Sequence, residues 1–205
     1  ERLFGYLGPL ARAGDRAAIR DLALLRFAYV TGCREGEIAR LTLERLDLRG
    51  YEATVLYETS KGKKLRTVYF DEDVRRDLRD WLDVRPAVPG VREVFVSLGN
   101  RVGVGYPVKP EALHTILQRR CDDAGVPRRK FHALRHSSVL DALESGIDAA
   151  KVQAQLGHAS IKTIMNYTRG QDEDRARAYH DRSLSAGLAE RAERRQQRNS
   201  GGEAR

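Results

Sequence analysis

TGCREGEIARL, residues 31–41, is a break between two helical patterns with a charged side chain at its exit. Gly32 interrupts one apolar periodicity, and a shorter one restarts at Glu35 and runs to Leu41, so Arg34 stands where the second helix opens. An arginine there has fixed backbone support and a planar fork suited to phosphate oxygens. On this stretch alone a surface arginine paired with Glu35 or Glu37 is the commoner outcome.

The neighbouring patterns set the fold class. Ahead of the break, Ala17 to Val30 carries apolar residues at helical spacing, with Asp15 as a cap. After it, Tyr51 to Tyr57 and Leu65 to Phe70 read as strands joined by TSKGKK, with Gly62 inside the turn. Asp71 to Val84 restarts a helix with its acids at the start, where the helix dipole favours them. A short apolar run, Val94 to Val96, precedes a Gly- and Pro-rich loop from Gly99 to Pro110. Helical patterns return over Glu111 to Ala124, His132 to Ser145, Asp148 to Leu156 and Ile161 to Tyr167. The prediction is a mainly α domain with one small antiparallel β-sheet (α+β) over residues 1–170.

Residues 171–205 form a charged tail, ending in ERAERRQQRNSGGEAR. Asp174 to Ala192 has the pattern of a weakly apolar helix with Leu184 and Leu188 as anchors, and the final residues have a disordered composition. No internal repeat is present.

Thirty-seven Lys and Arg against twenty-nine Asp and Glu give a formal net charge of +8, with a pI near 9.7, which favours polyanionic partners such as nucleic acid. No apolar run is long enough to span a membrane, and no signal-peptide pattern opens the chain. Cys33 and Cys121 are isolated, which suits a reducing cytoplasm better than a disulfide framework or a zinc site. The first residue is Glu1 and not Met, so a piece of a longer protein or a processed product is expected.

Three further segments hold polar residues that packing does not explain. TSKGKKLRTV presents Lys61, Lys63, Lys64 and Arg66 near a hairpin tip, where a lysine can reach into a groove and protonate a leaving oxygen. In FHALRHSS, His132, Arg135 and His136 fall close to one helix face. A zinc site at the two histidines lacks the HExxH glutamate and a nearby cysteine. LGHASIKTIMNYTRG, residues 156–170, adds His158 and Tyr167. Two arginines, a lysine, two histidines and a tyrosine, without an acidic cluster for Mg²⁺, are parts for metal-free attack on a phosphodiester. Tyrosine, with an ordinary pKa near 10, needs nearby arginines and a base to act as nucleophile at neutral pH.

Together these segments resemble the catalytic domain of the tyrosine recombinases, the phage-integrase and Xer-type family. TGCREGEIARL is similar to the family's first arginine box (TGxRxxEL), TSKGKKLRTV to its β-hairpin lysine segment, HALRHS to its HxLRH box, and LGHASIKTIMNYTR to its LGH-to-tyrosine ending. The resemblance spans about Asp15 to Gly170 and implies the tyrosine-recombinase catalytic-domain fold. It implies Tyr167 as the nucleophile forming a 3′-phosphotyrosine, with Arg34 and Arg135 clamping the scissile phosphate. Lys61 would protonate the 5′ oxygen, His132 would assist deprotonation of the tyrosine, and His158 would hydrogen-bond the phosphate. Glu37 would brace the site, with Lys63, Lys64 and Arg66 meeting DNA. His136 reads as structural.

The resemblance also implies no metal, ATP or other cofactor, and a double-stranded DNA partner with a specific core site. It implies a cyclic tetramer on two duplexes, a monomer being open without DNA, with the tail docking in trans on a neighbouring protomer. An integrase of a mobile element is the preferred reading. The family's N-terminal DNA-binding domain is expected to be missing from this stretch, with too little chain before Asp15 to form it. Cys33 replaces a common aliphatic residue, and Lys130-Phe131 replace a small residue and proline. The alternatives are a type IB topoisomerase, a non-catalytic DNA-binding regulator on the same scaffold, or an RNA-binding domain. The last lacks an aromatic platform.

Overall fold

The structure is a computed structural model and describes residues 2–59, 62–99 and 103–156. Its central element is the helix after Asp15. Asp15 caps that helix by accepting from the backbone N–H groups of Ala17 and Ala18, and the helix, α2, runs Arg16–Thr31. It is buried nearly all round, with Ala18, Leu22, Ala23, Leu24, Leu25, Phe27 and Ala28 in the core. Such a helix needs neighbours on every side. They are α1 (Arg2–Arg12), α4 (Glu72–Val84) and α6 (His132–Glu144).

Helix α1 was not expected, because Gly5, Gly8 and Pro9 each disfavour a helix interior. Docking overrides propensity. Leu7 is fully buried, the Phe4 ring meets Tyr29 edge-on with centroids 5.7 Å apart, and the Arg26 guanidinium lies over Phe4. The predicted helix after Thr31 is α3, Glu35–Ala39, two residues shorter than expected, and it packs against α5 (Pro110–Asp123).

Strands β2 (Glu52–Thr59) and β3 (Gly62–Tyr69) form the antiparallel hairpin, and a two-residue strand, β1 (Leu46–Asp47), extends it on the β2 side. The register pairs Ala53 with Val68, Val55 with Arg66 and Tyr57 with Lys64. Alternation therefore places Arg66 on the face that carries buried Ala53, Val55 and Val68, while Leu65 and Tyr69 face solvent. The predicted Gly- and Pro-rich loop holds an unexpected strand, β5 (Val104–Pro107), paired with β4 (Val96–Leu98) across an irregular register. Trp81 of α4 is fully buried, and its indole N–H donates to the Val94 carbonyl at 2.8 Å, fixing the chain just ahead of β4.

Inside the core, fully buried Asp21 accepts from Arg20 Nε at 2.8 Å and from Arg120 Nε at 2.8 Å, so α2 and α5 are joined through a paired charge. A buried carboxylate without such partners would be strongly unfavourable. The last described helix, α7 (Ala149–Leu156), docks on β3 through Gln155. Its side-chain amide donates to the Tyr69 carbonyl at 2.7 Å and accepts from the Tyr69 N–H at 3.1 Å, in the manner of an extra strand residue. Among the described residues, no helix is long and apolar enough to cross a membrane. The predicted helices Ile161 to Tyr167 and Asp174 to Ala192 lie outside the described residues.

Candidate active site

The site is built where α2 ends. Gly32 adopts the left-handed conformation (φ 61°) that caps α2, and the chain then turns through Cys33 to the extended backbone of Arg34, which opens α3. Thr31, fully buried, donates its hydroxyl to the Phe27 carbonyl at 2.6 Å and secures the last turn before the break. The Arg34 side chain remains 45% exposed.

Beneath it lies Glu37, only 2% exposed. Its Oε2 accepts from the Arg34 backbone N–H at 2.7 Å, the reach-back of a helix-opening carboxylate, and its Oε1 lies 3.4 Å from Arg34 Nη1. Arg66 grips the same carboxylate with both arms, Nη1 to Oε1 at 2.5 Å and Nη2 to Oε2 at 3.0 Å. Burial pushes the Glu37 carboxyl up. The Arg66 hydrogen bonds and charge, with the Arg34 N–H and charge, outweigh burial and hold it below the usual carboxylate range.

Helix α6 supplies the second arginine. Arg135, 6% exposed, donates from Nη1 to the Gly32 carbonyl at 2.5 Å and from Nη2 to the Leu156 carbonyl at 3.0 Å. One guanidinium thus ties the end of α2 to the end of α7. A guanidinium has five N–H donors, so two carbonyl bonds leave others for an anion. Burial, followed by the positive charge of Arg34, lowers Arg135 to about 10, which still leaves it charged at neutral pH.

One turn ahead on the same helix, His132 is exposed. Partial burial, then the charges of His136, Arg135 and Arg34, push its pKa below the ordinary histidine value. The His132 and His136 rings meet edge-on with centroids 4.6 Å apart. His132 thus feels the charges of Arg135 and Arg34, and Arg135 that of Arg34, although they come from two segments far apart in sequence. The arrangement offers two guanidinium groups and a proton-accepting imidazole within reach of one another's fields, which suits an oxyanion.

Of the residues singled out in the sequence, the structure gathers Arg34, Glu37, Arg66, His132 and Arg135. Lys61, His158 and Tyr167 lie outside the described residues, and for Lys63 only the strand position, opposite Glu58, is described. Lys64 is exposed on β3. Arg66 differs from its expected place among DNA-contacting cations: its side chain is 8% exposed and turned onto Glu37, because the β3 alternation sends it to the inner face. Two partners went unnoticed in the sequence. Gln155 gives its carbonyl to Arg66 Nε at 3.2 Å, and nothing in the α7 pattern marks it; the Gly32 carbonyl that accepts from Arg135 shows in the sequence only as a helix break.

The sequence profile of the phage integrase family matches residues 9–174. The tyrosine recombinase XerC of Corynebacterium glutamicum is 30% identical over 164 residues, which cover 80% of this chain and 51% of that protein. Among solved structures, the XerA recombinase is similar with a TM-score of 0.67 at 28% identity, over 82% of this chain and 56% of that one. The XerH site-specific recombinase, bound to its difH substrate in a pre-cleavage complex, gives a TM-score of 0.64 at 25% identity, over 86% of this chain and 50% of that one. The chain thus spans about half the length of these relatives. All four boxes fall inside the matched span, the fold is that of the solved recombinases, and this chain belongs to the phage integrase family as a tyrosine-recombinase catalytic domain.

Proposed function

We propose that this domain belongs to a site-specific DNA recombinase that cuts and rejoins strands through a covalent phosphotyrosine. The observation that carries the reading is that Arg34, held on the buried Glu37–Arg66 pair, acts electrostatically on both Arg135 and His132. In the first step the Tyr167 oxygen, giving its proton to His132, attacks the scissile phosphorus. A P–O bond to tyrosine forms as the P–O5′ bond breaks, and Lys61 protonates the departing 5′ oxygen. Arg34 and Arg135 hold the non-bridging oxygens, whose charge grows in the transition state, and His158 adds a hydrogen bond. Religation is the reverse, with a 5′-hydroxyl from either strand as nucleophile. Because the phosphotyrosine retains the phosphodiester energy, the residues assigned need no nucleotide cofactor.

The substrate would be double-stranded DNA with a defined core site, met in part by Lys63 and Lys64. Four protomers would synapse two duplexes, residues 171–205 would dock on a neighbouring protomer, and a separate N-terminal domain would complete the grip on DNA. The setting would be the cytoplasm, with an integrase of a mobile element as the preferred host context.

Covalent trapping tests the reading. The protein is incubated with nicked duplexes of partly random sequence, from which the released 5′ fragment cannot religate, and the DNA that stays attached after denaturation is sequenced. A set with one shared motif, lost in Tyr167→Phe, is expected. Tyrosine-dependent trapping without shared sequence would indicate topoisomerase-like relaxation. Binding without trapping, also in the presence of the rest of the protein, would sink the catalytic assignment.

A further inference from the structure

We propose that Arg66 is a positioning residue, not a DNA contact: it orients Arg34 through Glu37 and ties that clamp to α7. The inference rests on the recombinase reading of the site for its kinetic consequence, although not for its geometry.

The Arg66 guanidinium is used up within the protein, with Nη2 also 3.8 Å from Cys33 Sγ. Nη1 and Nη2 meet the two oxygens of Glu37 at 2.5 Å and 3.0 Å, Nε meets the Gln155 carbonyl at 3.2 Å, and its centre lies 5.4 Å from the Tyr57 ring centroid. With 8% of the side chain exposed, little remains for a phosphate. Glu37 then acts on Arg34 at two points, its backbone N–H and its Nη1. A carboxylate gripped by a fork has one orientation; gripped at a single point it can swivel. Removing Arg66 would therefore leave Arg34 present and charged, but free to rotate away from the phosphate.

The chain of contacts also crosses three elements. Arg66 sits on β3, Glu37 on α3 and Gln155 on α7, and Arg135 closes the circuit by bonding the carbonyls of Gly32 and Leu156, next in sequence to Cys33 and Gln155. The two arginine boxes are thus linked through buried contacts inside the protein. A misplacement of about 1 Å in such a clamp costs on the order of 100-fold in rate.

The test uses the full chain and a nicked trapping substrate in three forms. They are the natural phosphate, a methylphosphonate lacking one non-bridging charge, and a 5′-bridging phosphorothiolate whose leaving group needs no proton. Arg66→Met, with Arg66→Lys as the variant that keeps charge and stem should Met fail to fold, is expected to cleave the phosphate about 10- to 100-fold more slowly than the unaltered protein. On the methylphosphonate, where the clamp has less charge to hold, the deficit should shrink to a few-fold, while on the phosphorothiolate it should persist. Loss of the deficit on the phosphorothiolate instead would mean that Arg66 serves the proton donor at the hairpin tip. An equal deficit on all three would mean general structural support, and either result overturns the proposal. If the unaltered protein cleaves none of them, the recombinase reading fails separately. The geometric claim is then read from ¹⁵N relaxation of the Arg34 Nε–H without DNA, and unchanged order in Arg66→Met would overturn it.

Discussion

The Leu156 side chain closes over Gly32, so that a methyl group added to Gly32 would sit 2.5 Å from Leu156 Cδ2. The same two residues are joined through their carbonyls by Arg135. The glycine that ends α2 and the leucine that ends α7 therefore form one packed point under the site, where a Cβ would force the buried Leu156 side chain to shift and where the Gly32 backbone is left-handed.

Gly32→Ala should cost stability twice over. The positive φ disfavours any L side chain, at on the order of 1 kcal/mol, and the clash with Leu156 adds overpacking of about 1–3 kcal/mol. Urea unfolding should show a drop of about 2–4 kcal/mol with an unchanged m-value. A second change, Leu156→Ala, should reduce the cost of the first by removing the clash. Strict additivity of the two would refute the contact.

Arg135→Lys tests whether the second arginine is a bridge as well as a charge. Lysine keeps the positive charge but has a single ammonium, which does not reproduce the planar fork between the Gly32 and Leu156 carbonyls. Cleavage should fall by about 100-fold or more, as for loss of one preorganised oxyanion donor. DNA affinity, set mainly by the summed phosphate contacts, should change little. A variant that cleaves normally would show that charge alone suffices.

The helices with clear period and caps were legible in the sequence because local chemistry defines them: Asp15 and Asp71 each cap the helix they were expected to start, and α5 and α6 begin within one residue of prediction. Helix α1 was not legible, because its glycines and proline oppose the helix and only contact with α2 forms it. Strand β5 is held by its partner β4 inside a loop-like composition. At the site, Arg34 and Arg135 stood out as charges at helix openings and faces. The role of Arg66 was hidden by the lysines around it, although its two-residue offset from Val68 already placed it on the inward face. Gln155 acts through its carbonyl as well as its amide, and a backbone acceptor leaves no mark in the sequence.

Cys33 should be chemically silent in the folded protein. It is 2% exposed, and burial together with the Glu37 charge pushes its thiol up to about 12, so almost no thiolate exists at neutral pH. Cys121 is also buried, and its pKa is raised mainly by burial. Ellman's reagent should react with neither at pH 8 until denaturant is added, and Cys33→Val should retain cleavage. Rapid labelling of Cys33 under native conditions would mean that the α2–α3 corner opens on the reagent's timescale.

His132 should give the cleavage rate an acidic limb below the ordinary histidine range. Burial and the charges of His136, Arg135 and Arg34 all disfavour its protonated form, so its pKa lies below the ordinary histidine value and the neutral imidazole is favoured. The neutral form is the one that accepts the Tyr167 proton in the proposed mechanism. The single-turnover rate of covalent complex formation should thus be flat around neutrality and fall as pH drops through the lowered His132 pKa. Removing a neighbouring charge weakens one of the causes of that depression. Arg34→Ala should shift the limb to higher pH while slowing the reaction through loss of the clamp, and His132→Asn should lower the plateau and abolish the limb. A limb that survives in His132→Asn would assign the titrating group elsewhere and remove His132 from the proton-accepting role.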